Sequence, residues 1–196
     1  MSMWENLTLG QYLQMYDIEQ SKNINELEKQ LRMMCVIENK KEEDYDRMKY
    51  LDFLEHLKKV TDELRSIPDF KPVDYITVNG NRYKFVHEIK EITAGQFIDF
   101  NHFSNDIMNL HKTAAVFFLG MKGDRVCAYG EIPHDKIAED LLDAKFSEIQ
   151  GCLLFFYHLT INSILTMQTY SEQEMKIHKQ IMDNSLKFGV GTMILN

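Results

Sequence analysis

The sequence holds little of what signals chemistry or covalent stabilisation. It has three cysteines, Cys35, Cys127 and Cys152, an odd and widely spaced set without a Cys-x-x-Cys pair. Nothing in that spacing suggests a disulfide framework or a zinc site, and Cys35 and Cys152 stand in apolar runs where a thiol acts as a small hydrophobe. These features point to a reducing compartment. Basic residues are in deficit as well: 22 Lys and Arg face 30 Asp and Glu, a net charge of -8. Such a chain has no cationic surplus with which to displace counterions from a phosphate backbone, so no nucleic-acid partner is expected. Long hydrophobic runs are missing too. The most apolar stretches, 114–121 and 152–165, fall short of the ~20 residues that span a bilayer. The second of them is interrupted by His158, Thr160 and Asn162. The N-terminal Met-Ser-Met-Trp-Glu-Asn lacks the basic-then-apolar pattern of a signal peptide, so neither secretion nor membrane insertion is expected. There is no Gly-x-Ser-x-Gly elbow and no phosphate-binding loop, and Gly189-Val-Gly191 is not followed by a helix.

What is present is a globular composition, with 44% hydrophobic and 27% charged residues over 196 positions. A chain of this length can bury a core without a disulfide or a metal. Helical periodicity dominates. A first helix starts at Thr8, capped in a box with Gln11. A second covers 26–38, and a third, over 48–67, carries the apolar stripe Met48, Leu51, Leu54, Leu57 and Leu64 before Pro68 and Pro72 end it. The period then changes. Tyr75-Ile-Thr-Val and Arg82-Tyr-Lys-Phe-Val flank Asn79-Gly80, a pair suited to the positive φ angles of a tight hairpin. Helices resume at Thr93 with Gln96, and over 104–119. A short strand is predicted at 125–129, then a helix from Pro133 to about Leu142, one over 145–167, and a last one opening at Ser171-x-x-Glu174. The twelve methionines read mainly as core filling.

The most informative pattern is internal likeness. Leu7-Thr8-Leu9-Gly10-Gln11-Tyr12 matches Ile92-Thr93-Ala94-Gly95-Gln96-Phe97, each an aliphatic residue, a Thr cap, an apolar residue, Gly, Gln and an aromatic. Leu27-Glu-Lys and Leu110-His-Lys follow at nearly the same spacing, each leading into an apolar stretch. Either the chain contains two related halves or two good capping boxes coincide. The reading adopted is an α+β, predominantly α-helical fold: two pseudo-repeated helical halves, 1–70 and 91–196, joined by a β-hairpin connector at 71–90, all in one unit.

Candidate sites are few. His102 and Asp106 share a helix face at i, i+4, but His111 points almost the opposite way, so a metal site on this helix is disfavoured. His134-Asp135 after Pro133 reads as helix capping, and His158 in its apolar run as a hydrogen-bonded core residue. A catalytic Cys–His pair has no local signature. No catalytic residue, cofactor or metal is expected. Trp4, Phe70 and Tyr75, if exposed, would serve as interface anchors, and the apolar Met193, Ile194 and Leu195 could dock into a partner.

Through its two Gly-Gln-aromatic helix starts, the Tyr83-centred hairpin and Ile92-Thr-Ala-Gly-Gln-Phe-Ile-Asp, the chain resembles small proteins of tailed bacteriophages. These are encoded near tail and neck genes and include tail-assembly-chaperone-like proteins; the likeness covers about 7–119 in layout. The resemblance implies a non-enzymatic role in virion structure or assembly, with phage structural or assembly proteins as partners. It also implies a homo-oligomer or ring, located in the virion or the host cytoplasm. The rival readings are a host-cell helical adaptor and an enzyme whose site is assembled from distant residues.

Overall fold

The computed structural model describes residues 3–65 and 68–166. Among these the order is α1 (Leu9–Gln20), α2 (Glu26–Glu38), α3 (Tyr50–Leu64), β1 (Tyr75–Val78), β2 (Asn81–Phe85) and α4 (Ala94–Phe103). Then come α5 (Leu110–Ala115), β3 (Phe118–Lys122), β4 (Arg125–Val126), α6 (His134–Leu141) and α7 (Phe146–Thr166). The fold is α+β and mostly helical. None of the described helices is long and apolar enough to cross a membrane.

The strands form one antiparallel sheet in the order β1-β2-β3-β4. The predicted hairpin is there, with Asn79 at φ 52° and Gly80 at φ 74° making its turn. Alternation puts Ile76, Val78, Tyr83 and Phe85 on the buried face. The prediction of a helix over 104–119 fails at both ends: α5 spans only Leu110–Ala115, and the chain then turns into β3. Val116-Phe-Phe-Leu suits a strand, and an apolar run buried all round carries no period by which to tell strand from helix. Phe85 and Phe118 are register partners with ring centroids 5.4 Å apart, so β3 belongs to the hairpin's sheet rather than to a second helical half.

The main core draws on all three stretches of the chain. Trp4, Leu9, Tyr12 and Met15 meet Phe85, Phe117, Phe118, Ile149 and Cys152 in one cluster, each side chain worth about 2–3 kcal/mol on burial. A second, smaller cluster lies between α2 and α3, where Met34, Tyr45, Leu57 and Val60 pack together. At its edge Glu38 accepts hydrogen bonds from Tyr45 Oη (2.8 Å) and Lys40 Nζ (2.7 Å) and lies 2.6 Å from His56 Nε2. Leu51, placed in the α3 stripe by its spacing, is 75% exposed, whereas Met48 and Leu54 are half-buried and Leu57 is buried.

α6 is fastened to the hairpin by one carboxylate. Asp140, 3% exposed, accepts hydrogen bonds from Tyr83 Oη, Asn81 Nδ2 (2.8 Å), Asn79 Nδ2 (3.3 Å) and Lys136 Nζ (2.7 Å). Burial works against its charge, but the bonds from Lys136, Tyr83, Asn79 and Asn81 outweigh it and bring its pKa down to about 2. Asn79 also donates to Asp143 at 2.9 Å.

Candidate interaction surface

The two Thr-Gln helix starts are built alike. Thr8 and Thr93 both hold extended backbone, at φ -83°, ψ 161° and φ -78°, ψ 159°. Each hydroxyl accepts from the backbone N–H of its glutamine, and each threonine N–H donates to that glutamine's Oε1, at 2.9 Å in α1 and 3.0 Å in α4. The free end of the amide then does a second job: Gln11 Nε2 donates to Val36 O (2.8 Å) at the end of α2, and Gln96 Nε2 to Val116 O (2.7 Å) just after α5. A glutamate could close the box but has no N–H for the carbonyl, which is the physical reason for glutamine in both places.

What lies over the two starts differs. At α1, Leu9 N donates to Ala144 O (2.9 Å), Gly10 N to Leu142 O (2.7 Å), and Phe146 N to Leu7 O (2.8 Å). Thr8 and Lys145 thereby form an isolated antiparallel bridge, where the turn that joins α6 to α7 passes over the helix start. Phe146 stacks on Tyr12 with centroids 4.2 Å apart and planes at 20°. Leu9, Tyr12 and Leu13 are 0%, 4% and 5% exposed in consequence. The fit is close at Gly10, where a Cβ would stand 3.0 Å from Leu142 O.

At α4 the corresponding residues are Ala94, Phe97 and Ile98. Ala94 is exposed, Phe97 is 50% exposed and Ile98 65%. Among the described residues no acceptor meets the N–H of Ala94 or Gly95, and no donor meets Ile92 O. The opposite side of the helix is well held. Phe100 packs on Phe117 (5.4 Å) and Phe103 stacks on His134 (5.0 Å, 7°), while the Tyr129 ring lies against Gly95, on the side where Leu142 meets Gly10, and its Oη donates to Asp99 at 2.5 Å. A helix anchored on its inner side thus presents an apolar strip and unused backbone groups to solvent. The sequence reading missed this strip, because Phe97 and Ile98 sit where Tyr12 and Leu13 sit in α1. The one available signal was Ala94 in the place of Leu9.

The predicted anchors fare unequally. Trp4 is 0% exposed, packed 5.6 Å from Phe146, so it is a core residue and does not meet the condition of exposure. Phe70 is half-buried against the main core. Tyr75 is 40% exposed, with the Arg82 guanidinium 4.3 Å above its ring. Met193, Ile194 and Leu195 lie outside the described residues, as do the helix predicted at Ser171 and the side chain of His158.

Several of the groups that could bear chemistry hold structural contacts, whereas the buried Nδ1 of His111 has no hydrogen-bond partner among the described residues. Asp106 caps a turn through Met108 N (2.9 Å), and His134 Nε2 lies 2.9 Å from Lys112 O. Burial, with Lys112 beside it, lowers the pKa of His111. The structure does not bring His102, Asp106 and His111 together as ligands: among the described residues no three His, Cys, Asp or Glu side chains could hold a metal ion. Asp135 stands in the first turn of α6, which Pro133 caps without a side-chain bond. All three cysteines are free; burial pushes the Cys152 thiol up to about 12, and burial with Glu42, Asp44 and Glu38 raises that of Cys35. Thiols so shifted are poor nucleophiles at neutral pH. No protein-family model, curated protein or solved structure matches the chain.

Proposed function

We propose that this protein acts by protein–protein contact, without catalysis, as a structural or assembly component of a tailed-phage virion. The observation that carries the contact reading is the apolar strip of α4, where exposed Phe97 and Ile98 adjoin unpaired backbone N–H groups of the first turn. Exposed apolar side chains beside unsatisfied backbone donors and acceptors favour another polypeptide over a small polar substrate. The raised thiols of Cys35 and Cys152 and the internal engagement of Glu38 and Asp140 fit a non-enzymatic role. The phage context rests on the likeness of the two Gly-Gln-aromatic helix starts, and its partners would be other phage structural or assembly proteins.

Quantitative mass spectrometry of purified particles, with the portal and major capsid proteins as internal references, tests this role. A fixed copy number per particle would identify a virion component. Absence from particles but presence in infected lysate would identify an assembly helper. Absence from both would end the phage reading.

A further inference from the structure

Among the described residues three histidines stand beside carboxylates: His56 at 2.6 Å from Glu38, His87 at 2.8 Å from Asp74 and His134 at 4.0 Å from Asp135. His111 is different. It is half-buried in α5, its Nδ1 is buried without a hydrogen-bond partner, and the charged side chains acting on its ring are Lys112 and His134. Close to it, His134 ties three helices together. As the first residue of α6 it stacks on Phe103 of α4 with planes at 7°, and its Nε2 lies 2.9 Å from Lys112 O of α5. A carbonyl only accepts, so that nitrogen carries the proton. Lys112 Nζ in turn lies 5.7 Å from the centre of the Phe103 ring. Pro133 gives α6 no side-chain cap, so the N-terminal end of that helix is held by the His134 contacts rather than by capping. We propose that this junction is an acid-sensitive release, in which a proton taken up by His111 parts the first turn of α6 from α5 and from the inner face of α4. The release is independent of the phage reading and of the exposed strip on α4.

A charge on His111 would sit half-buried beside Lys112 and a protonated His134, with no carboxylate to answer it. That is a costly setting for an ionised group. Burial, Lys112 and His134 hold the His111 pKa below its ordinary 6.5, and the Met108 backbone, which favours the charge, does not offset them. A proton therefore binds the open junction more readily than the closed one. The stability given by neutral His111 is complete above the ordinary value and is lost as the pH falls below it, toward the lower value of the folded chain. The remaining neighbours do not cancel this. Asp135 is exposed and faces His134, Asp106 is engaged by Met108 N, and His102 lies edge-on to Phe103 and gains charge of the same sign. The other ionisable groups act in another sense or another range. Charged His56 and His87 are drawn to Glu38 and Asp74, and Glu19 and Glu148, raised by burial, favour the folded chain as the pH drops. Asp140 acts lower, between 3.8 and about 2.

Hydrogen exchange of the full-length protein, followed by NMR from about pH 7.5 to about pH 5 and corrected for intrinsic rates, reads this release directly. Opening at the amides of Lys136 and Ile137, both bonded to Pro133 O, should grow severalfold toward the acid end. The amides of Phe85 and Val86 in the sheet should change little over the same range. In His111→Gln the growth should vanish, and in Lys112→Gln it should set in at a higher pH. The His111 ring protons of the wild-type chain should follow the same curve as the α6 amides, a readout that needs no variant to fold. Unchanged protection at Lys136 and Ile137 would overturn the proposal. So would growth that persists in His111→Gln, or a His111 ring that titrates at or above the ordinary value. Equal loosening of Phe85 and Val86 would make the event global unfolding and refute a local release.

Discussion

At α1 the Thr–Gln start lies beneath Leu142–Phe146, and Tyr12 and Leu13 are core residues; at α4 the same start faces water, and Phe97 and Ile98 are surface residues. The hydrogen bonds inside the two starts are nearly superimposable in partner and length, so the difference does not arise from capping. It arises from the turn between α6 and α7, which among the described residues lies over the α1 start. Local sequence determines how a helix begins. Whether its outer face is core or surface depends on a piece of chain far away in the sequence.

Removing the cover should have the largest effect. Phe146→Ala deletes the ring that stacks on Tyr12 and contacts Trp4, and we expect a loss of about 3–4 kcal/mol in denaturant unfolding. Phe97→Ala, at the equivalent level of α4, should move stability by less than about 0.5 kcal/mol. Equal losses at the two sites would mean that Phe97 is covered after all.

The glutamines come next. Gln96 is 1% exposed, and Gln96→Glu sets a buried carboxylate against Val116 O, at a cost of about 3 kcal/mol at neutral pH. Gln11→Glu, half-buried, should cost about 1 kcal/mol. Differential scanning calorimetry should rank the two, and the reverse order would refute the account of the amide's second bond.

Acid should act on the covered start more than on the bare one, since Asp140 closes α6 just before the covering segment begins. Its carboxyl titrates lower in the folded chain, about 2 against an ordinary 3.8, so its contribution is complete above the ordinary value and disappears as the pH falls toward 2. The amides of Leu9 and Gly10 should lose protection from hydrogen exchange over that interval, and Asp140→Asn should remove the pH dependence while lowering stability by about 2 kcal/mol. Unchanged protection at those two amides would detach the covering segment from Asp140.

The smallest effects should have opposite signs. Gly10→Ala pushes a methyl to 3.0 Å from Leu142 O and should cost about 1 kcal/mol. At Gly95 the nearest atom would be 3.7 Å away, on Tyr129, so alanine there should raise the melting temperature, by about 0.5–1 kcal/mol in stability.

Much of the fold was legible because it is local. The Thr8 and Thr93 caps, the Asn79-Gly80 turn and the start of α6 after Pro133 are each determined by a few neighbouring residues. The strand at Phe118 was not, since an apolar run buried on every side has no period to read. Neither was the burial of Trp4, which packs against Phe146, or the clasp at Asp140, whose hairpin donors lie 57 to 61 residues away. The α4 strip was hidden by its likeness to α1: the same kinds of residue make a core face there and an exposed apolar strip here.

The Asp140 clasp also bears on the order in which the molecule comes apart. Three of its donors sit on a hairpin that can form from its own turn, while the carboxylate arrives only when α6 has found the sheet. Such a contact belongs to the late side of the folding barrier, so loosening it should leave refolding rates nearly unchanged and hasten unfolding. Asp140 would then work as a latch on the lifetime of the folded state, more than as a guide toward it.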